Sequence, residues 1–402
     1  MVNAAPRRPG HERTLDSIDA AVTEFAAGRP IIVVDDEDRE NEGDLVIAAC
    51  HATPAVVGLM IRYGSGVICA PMVAADLDRL RIPPMTITNE DPKATAYTVS
   101  VDAHDGCTTG ISAADRARTL RVLADPTSTR FDLHRPGHVF PLRAVPGGVL
   151  SRPGHTEAAV DFARLAGLPP VGAICELAHD DGSMMRLPGL IRLARRRNLV
   201  IVSIADLIKH RLRHESHLAH TGNVRLPTRH GTFGAIAYWS TIDSDRTEVL
   251  ALVIGDVAGG EEILVYPHQE CVTGDLLAAT SCTCREFLDA ALSRIARSGR
   301  GVVLYLRRPP ERPRPPRTVY HPSPACADRR DDTPARIYSC IQHILNDLNI
   351  RSIRLLNIGT TTFERLQDFG TAITATEPLD SPTINADHEP TPPCGVELPV
   401  PS

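Results

Sequence analysis

The chain has 402 residues, 43% of them apolar and 23% charged, with a formal net charge of −6. That length predicts two to three domains, and the mild acidity argues against nucleic acid as a partner. No apolar run approaches the roughly twenty residues that cross a bilayer, and the first residues lack the apolar core of a secretion signal, so the expectation is a cytoplasmic protein with no membrane partner.

Residues 1–12 read as a tail. Residues 17–27 have helical periodicity, and Ile31-Ile32-Val33-Val34 reads as a buried strand. Directly after it, the stretch from Asp35 to Asp44 carries acids at seven of its ten positions. A charge run is ordinarily a solvated face, but this one is held at both ends, because the apolar run Leu45-Val46-Ile47-Ala48-Ala49 follows. Carboxylates crowded at the mouth of a sheet repel one another unless a cation sits among them, and hard oxygen ligands suit magnesium. Further on, residues 54–63 read as a helix, 66–70 as a strand and 113–124 as a helix.

Arg152-Pro153-Gly154-His155-Thr156 brings a phosphate grip and a nitrogen ligand into five residues. Gly154 lets backbone approach an anion, Arg152 supplies a planar fork, and Thr156 supplies a hydroxyl at the start of a helix predicted over 156–166. For His155 alone, a structural role and a ligand role are equally good accounts. Val171-Gly172-Ala173-Ile174-Cys175 reads as a buried strand with Glu176 at its end. Arg195-Arg196-Arg197 looks like a basic helix end and Val200-Ile201-Val202 a last strand. The polar span 209–223 has no sheet pattern, which puts the domain junction near His214. The expected class is α/β (α+β), with two domains, each a mixed sheet with flanking helices.

Other motifs occur in order around these: Gly28-Arg29-Pro30, the run from Tyr63 to Cys69, Ser100-Val101-Asp102-Ala103, the run from Thr108 to Arg116, the run from Arg135 to Leu142, and Ile174-Cys175-Glu176. With them, residues 13–212 resemble 3,4-dihydroxy-2-butanone-4-phosphate synthase of riboflavin biosynthesis. The resemblance implies conversion of ribulose 5-phosphate to the dihydroxybutanone phosphate and formate by a homodimer, with Mg2+ or Mn2+ and no organic cofactor. It implies that Glu40 and His155 hold the metal, that Arg39, Glu40 and Asp44 touch the sugar, and that Thr108 and the segment Arg152, Pro153, Gly154, His155 and Thr156 bind substrate phosphate. His138 and Glu176 match the family's two acid–base residues. From the residues alone, Thr108 and Thr109 also fit an N-cap pair, and His138 and Cys69 also fit packed core groups.

Residues 215–378 resemble GTP cyclohydrolase II, on Leu226-Pro227-Thr228, Gly231-Thr232-Phe233, the run from His268 to Asp275, Cys282-Thr283-Cys284 and the run from Gly299 to Arg307. The resemblance implies Zn2+ on Cys271, Cys282 and Cys284, although the C-x10-C-x-C spacing is not a common finger. The ten cysteines do not read as a disulfide framework and are expected to remain thiols. Tyr266 stands where the family pattern has a phosphate-binding arginine, and Phe287 where it has glutamine. The family's Glu-Gly-Arg loop has become a run from Arg308 to Arg317 containing five prolines, which remove amide donors and extend the chain. The family's catalytic Asp-x-Arg pair falls without a gap on Pro334 and Arg336, whereas Asp328 and Arg330 have the right types only with an insertion. A folded but inactive second domain, with GTP not a partner, is the expectation. A bifunctional enzyme is the alternative, and a non-catalytic scaffold homologue a second one. Residues 379–402, rich in proline, are expected to form a disordered tail.

Overall fold

The computed structural model describes residues 15–242, 247–279, 283–307, 335–357, 366–367 and 369–379. The chain folds as two compact units; the first runs to Ser216 and also takes in Ile242, and the second begins at His217. The first unit runs α1 (Ile18–Ala26), β1 (Ile31–Val34), β2 (Gly43–Ala48), α2 (Pro54–Tyr63), β3 (Cys69–Met72), α3 (Ala74–Arg79), β4 (Val101–Ala103), α4 (Ala113–Ala124), β5 (Leu133–Arg143), α5 (His155–Leu165), β6 (Gly172–Glu176), α6 (Leu187–Arg197), β7 (Val200–Ser203) and α7 (Ile204–His214). Helix starts follow local chemistry. The side chains of Ser17, Thr53, Ser112 and Ser203 each accept an amide of the first turn of α1, α2, α4 and α7, and Pro54 opens α2.

The strands form a mixed sheet in the order β4-β5-β3-β6-β2-β1-β7. Side chains alternate between its two faces. Ile32, Val34, Leu45 and Ile47 therefore pack with Met60, Leu120 and Leu190 of α2, α4 and α6, while Ile31, Val33 and Val46 pack with Phe25, Phe162 and Leu207 of α1, α5 and α7. Both faces of β1 and β2 are buried, which is why these strands read as unbroken apolar runs.

Two local expectations shift. The strand expected over 66–70 begins at Cys69, because Gly66 takes a left-handed φ of +84° and the preceding Ser65 amide bonds to the Glu176 carbonyl, so the chain turns there. The polar span 209–223 contains the end of α7 and a short strand, β8 (Leu218–His220), which is too short and too exposed to show an apolar alternation.

From β8 the second unit continues through β9 (Val224–Thr228), β10 (Gly231–Ser240), β11 (Glu248–Ile254), β12 (Ile263–Gln269), α8 (Cys284–Ser298), β13 (Gly301–Leu306), α9 (Ala335–Asp347), β14 (Ile353–Asn357) and β15 (Ile373–Pro378). Its sheet has the order β15-β14-β12-β13-β11-β10-β8, with β9 paired to β10. Pairing is antiparallel from β8 to β13 and parallel from β13 to β15, so this sheet is mixed as well. The expected class therefore holds for both units. Phe233, Tyr266, Phe287, Ile295, Val303 and Leu356 share one core with Leu379, so the described chain is packed one residue into the segment expected to be a tail. Residues 1–14, the proline-rich run 308–317 and residues 380–402 lie outside the described residues.

Candidate active site

Strand register gathers the candidate residues of the first unit at one end of its sheet. Asp44 pairs with Val33 on one side and with Glu176 on the other. Cys69 pairs with both Ile174 and Phe140. Glu176 stands two residues after Ile174, so alternation puts it at that end and on the face that packs α5, and His138, two residues before Phe140, lies at the same end in the irregular part of β5 beside β4. His155, the first residue of α5, begins on the same face.

The acidic loop joins β1 to β2 and is organised from within by Asp35. Its carboxylate accepts the amides of Glu40 (3.1 Å) and Glu42 (2.8 Å) and Nη1 of Arg39 (3.0 Å). Arg39 Nη1 also lies 2.6 Å from Glu40 Oε2. Two cations from outside hold the loop backbone: Lys93 Nζ donates to the Arg39 carbonyl (2.7 Å), and Arg186 to the carbonyls of Glu40 (2.8 Å) and Asn41.

His155 Nε2 lies 3.1 Å from the Val33 carbonyl. Only a protonated nitrogen can make that contact, so in the neutral ring the Nδ1 lone pair faces the acids. Nδ1 lies 3.9 Å from both Glu40 Oε2 and Asp44 Oδ1. Asp35, Glu40 and His155 offer ligand atoms within 4.8 Å of one another. Burial pushes the His155 pKa below its ordinary value, favouring the neutral, ligating ring. Burial, reinforced by Glu176, Glu40, Glu42 and Asp35, holds the Asp44 carboxyl well above the usual range, and its Oδ1 is buried without a hydrogen-bond partner. An orphaned Asp44 oxygen and a fixed imidazole lone pair beside the Glu40 carboxylate, which is ion-paired to Arg39, are the donor set a hard divalent cation takes.

Beside this cluster, Gly154 is the N-cap of α5 and no side chain caps the helix there. A Cβ on Gly154 would lie 2.6 Å from Arg152 Nη1 and 3.1 Å from Arg39 Nη2, so two guanidinium groups converge over the open helix terminus. Arg152 is held from behind: it donates to Glu157 (2.7 Å), to the Lys93 carbonyl (2.9 and 3.2 Å) and to Thr95 Oγ1 (3.1 Å). Thr156 is buried at the second helical position, and Pro153 is exposed. His138 Nδ1 lies 2.7 Å from Asp102 Oδ2, while the His138 amide donates to Asp102 Oδ1 (2.8 Å). Its ring is 40% exposed, which corrects the core-histidine alternative. Glu176 accepts from Ser65 Oγ (2.7 Å). Thr108 departs from expectation in part. The N-cap of α4 is Ser112, and the Thr108 hydroxyl donates to Asp115 (2.7 Å), which also takes the amides of Thr108 and Gly110 (3.1 Å each). Those three bonds lower the Asp115 pKa and close the turn before α4.

Sequence reasoning did not single out Asp102, Ser65, Lys93 or Glu157 as site residues. Each meets its partner across 36 or more positions, except Glu157, which lies five from Arg152 inside a helix whose start alone was marked.

In the second unit, Cys271 caps the turn Val272–Leu276 through its sulfur, which accepts the Gly274 amide (3.4 Å), and Cys284 opens α8. Cys282, Asp328 and Arg330 lie outside the described residues, and Arg336 sits half-buried on α9. His268 Nε2 lies 3.0 Å from Asp275 Oδ2, which also accepts the Cys271 amide (2.8 Å) and Tyr305 Oη (2.9 Å). Burial opposes the Asp275 carboxylate, but these bonds outweigh it and hold its pKa below the usual range. Tyr266 and Phe287 are buried in the apolar core, and the Tyr266 hydroxyl lies 3.4 Å from His268 Nδ1.

Residues 19–210 match the sequence model of 3,4-dihydroxy-2-butanone 4-phosphate synthase, and residues 219–378 that of GTP cyclohydrolase II. The riboflavin biosynthesis protein RibBA of Salinispora arenicola is 49% identical over 373 residues, covering 90% of this chain and 88% of that protein. RibBA of Mycobacterium tuberculosis is 49% identical over 381 residues, covering 91% and 89%. Among solved structures, RibBX of A. baumannii, described as a two-domain 3,4-dihydroxy-2-butanone 4-phosphate synthase, superposes with a TM-score of 0.68 at 31% identity, covering 90% of this chain and 99% of that one.

Proposed function

The chain belongs to the 3,4-dihydroxy-2-butanone 4-phosphate synthase family of riboflavin biosynthesis, continued by a GTP cyclohydrolase II family domain, and on that premise we propose that its first unit converts D-ribulose 5-phosphate to L-3,4-dihydroxy-2-butanone 4-phosphate and formate. The observation that carries this reading is the meeting of Glu40, Asp44 and His155 at the end of the sheet that also bears His138 and Glu176. The reaction removes a proton beside a ketone, expels a hydroxyl, shifts a carbon and releases one carbon as formate, so negative charge develops on neighbouring oxygens. Glu40 and His155 would hold Mg2+ or Mn2+, which as a Lewis acid stabilises such charge. Asp35 and Arg39 fix the loop that carries Glu40. Asp44 accepts from substrate hydroxyls. The α5 amides at Gly154 to Thr156, with Arg39 and Arg152 over them, bind the phosphate. Glu176, oriented by Ser65, and His138 move protons. The protein acts as a homodimer.

The test is formate release from ribulose 5-phosphate in the presence of Mg2+. Activity falls to background with excess chelator and returns with the metal. Glu40→Ala and His155→Ala each abolish it; turnover near wild type in either would defeat the metal assignment.

The second unit is read as catalytically inert. In support, the residues standing for a phosphate arginine and a glutamine, Tyr266 and Phe287, are buried in its apolar core, where they offer no charge to a triphosphate. The A. baumannii relative, a two-domain protein described only as a synthase, is consistent with this. A bifunctional enzyme is the second reading, favoured by the match to the cyclohydrolase family over 219–378. A pure scaffold is disfavoured, because it has no need of the Glu40–His155 pair. Incubation with GTP and Zn2+ separates the first two: no formate, pyrophosphate or diaminopyrimidine is expected, and steady turnover would establish the bifunctional reading.

A further inference from the structure

We propose that Asp102 sets the tautomer of His138, keeping the proton on Nδ1 and the lone pair on Nε2, and so acts as a positioning residue for the acid–base step. The inference rests on the proposed acid–base role of His138. Its own content is geometric. One carboxylate takes two bonds from a single residue: Oδ1 from the His138 amide at 2.8 Å and Oδ2 from the ring at 2.7 Å. A backbone amide only donates, so it fixes which way the carboxylate faces, and the carboxylate then fixes the ring.

The surroundings protect this pair. A Cβ on Gly110, whose φ is +91°, would fall 1.9 Å from Asp102 Oδ2 and 2.6 Å from His138 Nδ1, so the backbone of the 107–112 turn lies directly on the bond. Asp115 holds that turn through the amides of Thr108 and Gly110. The other titratable or charged groups around the pair are Cys107 in the turn, Arg116 on α4, and His134, which pairs with Asp102 in the β4–β5 register. None of them makes a hydrogen bond that competes for His138 Nδ1 among the described residues. With Nδ1 committed, a neutral His138 presents a base at Nε2, and after taking a proton it presents an acid at the same atom.

Asp102→Asn tests this. The His138 amide still requires an oxygen, so the asparagine NH2 is turned toward Nδ1, which must then accept. The ring proton moves to Nε2 and the base is lost. Full-length protein carrying 15N-histidine is examined by long-range 1H–15N correlation at a pH where the ring is neutral, with His138→Gln to assign the signal. The expected result is an Nδ1–H ring in the native protein and an Nε2–H ring in Asp102→Asn. The expected kinetic result is a fall in kcat of about 10²- to 10⁴-fold, the usual worth of a general base, with KM changed much less. An Nε2–H ring in the native protein would overturn the proposal even if the variant failed to fold, and so would an unchanged tautomer in Asp102→Asn. Full turnover by His138→Gln would overturn the acid–base reading itself, an outcome on which the tautomer spectra do not depend.

Discussion

Asp44 is the residue at which the proposed function and stability oppose each other. Its carboxyl is buried among Glu176, Glu40, Glu42 and Asp35, which raise its folded pKa well above the unfolded value. A carboxyl shifted in that direction costs nothing below the unfolded pKa of about 4, where both states are protonated. The cost appears as pH rises past that value and grows until the folded pKa is passed. Asp44→Asn is therefore expected to raise the melting temperature of the metal-free protein near neutral pH by about 2–4 °C, the equivalent of ~1 kcal/mol for a domain of this size, while abolishing formate release. The gain shrinks on acidification toward pH 4. Thermal unfolding with chelator at several pH values measures it, and a variant less stable than wild type at neutral pH would show that Asp44 is ionised and satisfied.

At the scale of elements, α5 carries two parts of the proposed site in one turn, since His155 faces the acids while Gly154 leaves the helix terminus open. Gly154→Ala inserts a methyl between Arg152 and Glu157 and narrows the space where the phosphate would sit. The expected result is KM for ribulose 5-phosphate raised about tenfold, a loss of ~1.4 kcal/mol of binding, with a smaller change in kcat. Steady-state kinetics checks it, and an unchanged KM would move the phosphate elsewhere. Elements with strong local signals were legible in the sequence. α1, α2 and α4 start at or beside their expected positions because Ser17, Thr53 and Ser112 are local caps, and β1 and β2 are apolar on both faces. The groups that steer the site were not legible in the same way. Asp102 reaches His138 and Ser65 reaches Glu176 only after the sheet is assembled, and no periodicity in a chain encodes a contact made across strands. Thr108 does not cap α4, because Ser112 does, and its hydroxyl bonds instead to Asp115, seven residues on in the first turn of that helix.

On the scale of the whole molecule, the two units carry separate sheets and separate cores. A chain ending at Ser216 is therefore expected to fold and to keep most of its formate-releasing activity. Loss of folding in that chain would show that the second unit supports the first. In the first unit, His155 Nε2 also reaches the carbonyl of Val33. Val33 pairs with Asp44 on β2 and with Val202 on the edge strand β7, so a cation held by His155 and Glu40 pins α5 to β1 and β2. Any opening that frees β1 or β2 must release the ion first. Amide hydrogens of Ile32, Val33 and Leu45 should then exchange with deuterium more slowly as Mg2+ is added, by the factor 1 + [Mg2+]/Kd. Their exchange rates thus become a measure of metal affinity that needs no substrate.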